Sequence, residues 1–171
     1  MSRYEISPVR SHLWIDARSN VHPIHSGTDG VEGYVDLELA SDGHLDMTTH
    51  PTGELTLLVE KLSSGNRLED RELHRRIDSR RYPSILGVLK QVEPSGGEEM
   101  YKVNGDITFR GVTRQYVDVM SISRLDAYTV QLEGKSRFDI REFGMEPPRL
   151  LMARVEPEVD VRIQIVAVKE S

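Results

Sequence analysis

The stretch from 155 to 169, VEPEVDVRIQIVAVK, sets Val159, Val161, Ile163 and Ile165 on one side and Glu158, Asp160, Arg162 and Gln164 on the other. This period of two places one face of a β-strand in a core and the other in water. Pro157 marks the outer end, where a missing N–H does least harm. The same period recurs in VEGYVDLELA, with Val31, Gly33, Val35, Leu37 and Leu39 in phase. It appears again in ELTLLVEK with Leu55, Leu57 and Val59, and in MYKVNGDITF with Tyr101, Val103, Ile107 and Phe109. SILGVLKQVE, QYVDVMSIS and YTVQLEGKSRF are strand-like too, separated by turn-forming clusters such as EPSGGEE and RLDA. The count is about eight strands. Half-apolar antiparallel strands must stack as two sheets or close on themselves, and closure leaves no exposed edge. The expected fold is all-β: a single closed antiparallel barrel spanning residues 1–171.

One segment breaks the pattern. In NRLEDRELHRRIDSRRYP, Leu68, Leu73 and Ile77 fall near one helical face, Glu72 and Arg76 stand four residues apart, and Pro83 forces an exit. This is the one short helix expected between strands. Within the strands, Gly33, Gly105 and Gly134 sit in phase with inward apolar positions, as strand bends or as room for a bound molecule.

Composition narrows the functions. The chain is 37% hydrophobic, 29% charged and 6% aromatic, the balance of a soluble globular protein. A net charge of -6 repels nucleic acid and anionic lipid except at a local basic patch. With no cysteine there is no disulfide, thiol nucleophile or thiolate metal site. No apolar run has the length of a membrane span or a signal-peptide core, so a cytoplasmic location is expected.

The punctuation between the strands forms a series: WIDARS with Trp14, Ile15, Asp16 and Ser19; a helix with Asn66, Asp70 and Leu73 that ends in Tyr82 and Pro83; GDITFRGVT with Gly105, Thr108, Arg110, Gly111, Val112 and Thr113; and DIREFG with Arg141, Phe143 and Gly144. In these blocks the chain resembles the YceI-like proteins over nearly its whole length. It departs from their pattern at Arg18, where histidine is usual, at Ile77 and Asp78, and in the spacing within DIREFG. The resemblance implies a lipocalin-like, eight-stranded antiparallel barrel with an elongated apolar interior that holds a polyisoprenoid or similar long-chain lipid. On that model GDITFRGVTRQYVDV is two strands joined at a tight corner by Gly111, with Arg110 and Arg114 at a barrel end.

Strand phase assigns an apolar lining of Val35, Leu37, Leu57, Val59, Val103, Ile107, Phe109, Leu132, Phe138, Val161 and Ile163, and Trp14, which reads first as core packing, is of a size that also suits the cavity wall. Arg80, Arg81 and Arg110 are assigned to a ligand head group, since an arginine fork suits a phosphate or carboxylate. The competing reading of the whole arginine run, Arg80 and Arg81 included, is a solvated helix laced by Glu69, Asp70, Glu72 and Asp78.

Other chemistry finds little support. His22, His25, His44 and His50 read as surface loop histidines, because a zinc site needs three or four rigidly presented ligands. Ser26, His25 and Asp29 are sequence neighbours without a nucleophile elbow, and Asp42, Asp46, Glu69 and Asp70 read as solvated carboxylates. No phosphate loop or dinucleotide fingerprint is present. The expectation is a non-enzymatic carrier of a long-chain lipid, with no cofactor, metal, nucleic acid or integral membrane contact, and with a homodimer left open. Two rival readings are an enzyme acting on a bound lipid or cofactor, and a packed barrel that serves as an interaction module.

Overall fold

The structure, a computed structural model, describes residues 1–171. Strands β1 (Ser2–Ile6), β2 (His12–Ser19), β3 (Ile24–Thr28), β4 (Val31–Leu37) and β5 (Thr52–Leu58) lead to helix α1 (Arg67–Ile77). Then follow β6 (Ser84–Pro94), β7 (Met100–Phe109), β8 (Val112–Asp126), β9 (Thr129–Asp139), β10 (Arg149–Leu150) and β11 (Ala153–Lys169). All pairings are antiparallel, in the order β1-β4-β5-β6-β7-β8-β9-β11, and β11 returns to β1 through Ile6 opposite Ala167 and Tyr4 opposite Lys169. The wall is therefore an eight-stranded closed barrel, as expected. No helix is long and apolar enough to cross a membrane.

Two of the walls are bent strands. A 3₁₀ turn at Pro8–Arg10 divides β1 from β2, and β2 and β3 extend the wall beyond β1 and β4. At the break the Val166 carbonyl of β11 still accepts from the Ser7 N–H at 2.8 Å, while the Val166 N–H donates to the side chain of the buried Ser11, at Oγ, at 3.0 Å. A substitute of this kind is required because an unpaired buried N–H costs about as much as a lost hydrogen bond.

The barrel has a plugged end and a capped end. At the plugged end Tyr4, Leu37, Tyr101, Ile122, Val130 and Leu132 pack with Leu45, which enters from the loop between β4 and β5. That loop is pinned where the Leu45 N–H donates to the Tyr101 hydroxyl at 3.0 Å. At the other end α1 lays Ile77 against Val59 and Met145, with Phe109, Ile85, Leu73 and Ile140 around them. Asn66 caps the helix by accepting from the Leu68 and Glu69 N–H groups, and Asp78 ends it in the left-handed region at φ 64°.

Several expectations are corrected. Val59 is not a wall residue: the alternation of β5 stops at Leu58, and Val59 opens a 3₁₀ turn that points it at Ile77. Leu68 lies on the exposed face of α1, so Leu73 and Ile77 alone carry the packing. Residues 24–28 form β3 rather than a loop, which makes His25 a strand residue.

Candidate ligand-binding lumen

Between plug and cap the inward side chains are incompletely buried. Ile15, Leu55, Leu89, Val103, Met120, Val161 and Ile163 point inward and touch the buried core, yet each is only half-buried. A side chain aimed into a closed barrel keeps such exposure only where opposing walls fail to meet, because packed interiors leave few voids larger than a water molecule. Gly87, inward between Leu55 and Ile107, leaves further space: a Cβ placed there would have no neighbour closer than 3.8 Å.

The predicted lining divides by depth. Val103, Ile107, Val161 and Ile163 face this middle stretch. Val35, Leu37, Leu57 and Leu132 face inward but lie within the packed core. Phe109 joins the cap cluster, edge-on to Phe143 at 5.7 Å, and Phe138 meets Tyr116 edge-on at 4.7 Å. Trp14 is misassigned. Its neighbours Leu13 and Ile15 take the inward phase, so its ring lies on the outer wall, with the Arg162 guanidinium 4.1 Å above it and His12 at 4.5 Å. Ile15, Leu55, Leu89 and Met120 complete the lining that the phase argument left incomplete.

The inward phase is also less apolar than expected. On β8 it carries Arg114, Tyr116 and Asp118 as well as Met120, and on β9 it carries Ser136. Here the wall has a seam. The β8–β9 ladder runs from Asp126 opposite Thr129 to Met120 opposite Gly134 and stops, so 112–119 pair only with β7 and 135–139 only with β11. Side chains span the gap instead. Ser136 Oγ donates to Asp118 Oδ2 at 2.7 Å, the Tyr116 hydroxyl donates to Glu142 Oε2 at 2.8 Å, and Arg114 Nε donates to the Glu142 carbonyl at 2.9 Å. Burial and the Glu142 carboxylate together push the Tyr116 phenol above its ordinary pKa, so it holds its proton. An open pocket of about 600 Å³ runs across β2, β11 and β9, lined by Asp16, Lys135, Ser136, Arg137, Asp160, Val161 and Arg162, with Asp118 of β8 as well.

At the capped end the corner between β7 and β8 is a two-residue turn with Arg110 at φ 52° and Gly111 at φ 74°, the primed hairpin geometry in which glycine is favoured. The Arg110 guanidinium donates to the Gly144 carbonyl at 2.7 Å and to the Ile77 carbonyl at 3.4 Å. These two bonds tie the barrel wall to both pieces of the cap. Arg80 and Arg81 are exposed, neither has a carboxylate within 4 Å, and Arg81 lies over the Tyr82 ring.

The remaining polar candidates have local partners. His25 Nδ1 is 2.6 Å from Asp16 Oδ1 on the outer wall, and His44 meets Asp42, which raises the imidazole pKa. Glu69 is buried rather than solvated, with His22 Nε2 at 3.6 Å. Asp118 accepts directly from the Ser136 hydroxyl.

A closed antiparallel barrel of eight strands has an interior that is either filled by side chains or left with room for one small molecule. The YceI-like domain model matches residues 4–167, and the chain belongs to that family. Among solved structures it is similar to BcnA of Burkholderia cenocepacia, at 15% identity and TM-score 0.79 over 95% of this chain and 99% of that one. It is also similar to a polyisoprenoid binding domain from Saccharophagus degradans, described as implicated in plant cell wall breakdown, at 11% identity and TM-score 0.78 over 99% and 100%. The Campylobacter jejuni YCEI protein matches at 13% identity and TM-score 0.65, with 85% of each chain covered. At these identities the likeness is one of fold. No curated protein matches the sequence.

Proposed function

We propose that the protein carries a long apolar molecule, an isoprenoid or a lipid of similar build, in the unfilled middle of the barrel without changing it chemically. The observation that carries this reading is the set of inward aliphatic side chains left half-buried inside a closed wall. The similarity in fold to a polyisoprenoid binding domain supports the same class of ligand. Each methylene taken from water into such a lumen contributes about 0.8 kcal/mol, so a long tail supplies the affinity even after the entropy of immobilisation is subtracted. Arg80 and Arg81, exposed and unpaired at the capped end, are the side chains assigned to an anionic head.

Native mass spectrometry of protein purified from its source, followed by organic extraction, is expected to return one lipid per chain with an anionic head. An empty barrel that also refuses added long-chain lipids overturns carriage, and a bound lipid with a neutral head overturns only the assignment of the two arginines.

The seam between β8 and β9 gives a lateral way in, because side-chain ties rather than a backbone ladder hold it shut. The chain has no cysteine, so the pair Asp118→Cys and Ser136→Cys introduces its only thiols. Joining them by oxidation or a short bis-thiol reagent is expected to slow both uptake and release of a fluorescent fatty acid by about tenfold, with affinity nearly unchanged. Unchanged rates in the cross-linked protein would place the way in elsewhere.

A further inference from the structure

The hairpin of β10 and β11 has an unusual tip. Leu150 pairs with Ala153 and Arg149 with Arg154, leaving Leu151 and Met152 as a two-residue loop. Leu151 stands at φ 58°, in the left-handed region, where such loops favour glycine or asparagine. Both side chains nevertheless project into water, 49% and 85% exposed. Leu68, on the first turn of α1, is 60% exposed beside them. Leu68 and Leu151 line one groove of about 350 Å³ together with Arg71, Glu72, Arg76 and Arg149. Exposed apolar groups and arginines thus form a single surface.

The charge of this surface is opposite to that of the rest of the molecule. Residues 67–76 and 149–154 hold six arginines and three carboxylates, which leaves 16 lysines and arginines against 25 aspartates and glutamates elsewhere. The three carboxylates are already engaged. Glu69 is buried near His22, Asp70 accepts from Ser63 and Ser64, and Glu72 accepts from Arg75 and Arg76, which holds its carboxyl below the usual range. Arg67, Arg71, Arg149 and Arg154 have no carboxylate within 4 Å. Arg149 and Arg154 stand directly opposite each other, a like-charge pair that weakens a hairpin unless an anion lies between them.

We propose that this face of the cap docks on the surface of an anionic phospholipid bilayer, a step whose purpose rests on the reading of the barrel as a lipid carrier. The acidic body is repelled by such a surface while the arginine face is attracted, so the field alone orients the cap toward the membrane. Leu68, Leu151 and Met152 then enter the headgroup region, where apolar side chains flanked by arginine are favoured. A nucleic acid would accept the arginines but leave these three side chains in water, so the bilayer fits the surface better.

The test is sedimentation of the whole chain with vesicles of phosphatidylcholine, with and without phosphatidylglycerol, at low and physiological salt. Binding is expected only to the anionic vesicles, weakening with salt. Arg71→Glu with Arg149→Glu should reduce it by about tenfold or more. Leu151→Gly with Met152→Ser should reduce it several-fold while raising the melting temperature, because the strained turn is relieved as the apolar contact is lost. Equal binding to neutral vesicles, no binding to either, or insensitivity to both pairs of substitutions overturns the proposal. Binding to DNA as tight as to anionic vesicles would make the face a general polyanion site and overturns it too. Fluorescent fatty acid uptake by the same samples is read separately, so a failed membrane contact with an occupied barrel is distinguished from a failed carrier.

Discussion

Gly33→Ala is expected to destabilise the protein by about 3 kcal/mol or more, lowering its melting temperature by about 6 to 12 °C. Two independent features of β4 require this. Gly33 sits at φ 139°, a backbone conformation that side-chain-bearing residues rarely adopt. A Cβ built there would also meet the Glu54 carbonyl oxygen at 2.0 Å, the Glu54 carbonyl carbon at 2.9 Å and the Leu55 Cα at 3.1 Å. All three are backbone atoms of β5, so no side-chain rotation relieves the clash and the two strands must separate. Gly87→Ala is the matched control, another inward glycine whose added Cβ would have only ordinary contacts. It should be neutral or stabilising by about 0.5 kcal/mol through lost unfolded-state freedom. Thermal unfolding followed by circular dichroism checks both. A Gly33→Ala protein that melts within about 2 °C of the parent would mean that β4 and β5 do not approach so closely.

The same pair shows what strand phase can and cannot say. Phase places Gly33 and Gly105 on the inner face, but whether an inward glycine accommodates a crossing backbone or leaves a space depends on the opposing strand. At Gly33 and Gly105 the backbone of the neighbouring strand fills the position, with Val88 O 2.7 Å from a Cβ at Gly105. The strands from β4 to β9 and β11 were readable because each runs for seven residues or more and is rich in apolar and β-branched side chains. The first three were not, because Pro8 interrupts one wall and β3 is only five residues long, with a histidine and a serine among them. Trp14 was misplaced because HLWIDARS carries large apolar side chains in both phases. Only the partner strand settles which is inward, and it sets Arg162 opposite Trp14 and Ile163 opposite Leu13. The seam left a trace that went unread: Asp118 and Ser136, both polar, share the inward phase of adjacent strands. That the ladder ends there is a property of how two walls diverge, which neither strand encodes alone. The cap is similar, since nothing in GDITFRGVT distinguishes an arginine that meets a ligand from one that meets the carbonyls of Ile77 and Gly144.

Gly87→Phe is expected to abolish uptake of long-chain probes while leaving the barrel folded, with a stability loss of about 1 to 3 kcal/mol at most. The position is favourable because Gly87 lies in the middle of the barrel, opposite Leu55 on β5 and Ile107 on β7, with Leu55 Cβ at 3.8 Å as the nearest neighbour of a new side chain. A phenyl ring there occupies volume that a ligand tail needs, while the packed cluster of Leu37, Tyr101 and Ile122 at the plugged end and the cap around Ile77 stay intact. Binding and stability therefore separate the two interiors open to such a barrel. If the middle is hollow, the ring enters empty space, the fold survives and the tail is excluded. If the middle is packed, the ring displaces neighbours in close contact, the melting temperature falls steeply, and no probe binding exists to be lost. A folded Gly87→Phe protein that binds a fluorescent fatty acid as tightly as the parent would show that the ligand does not use this space, and the carrier would need a different site.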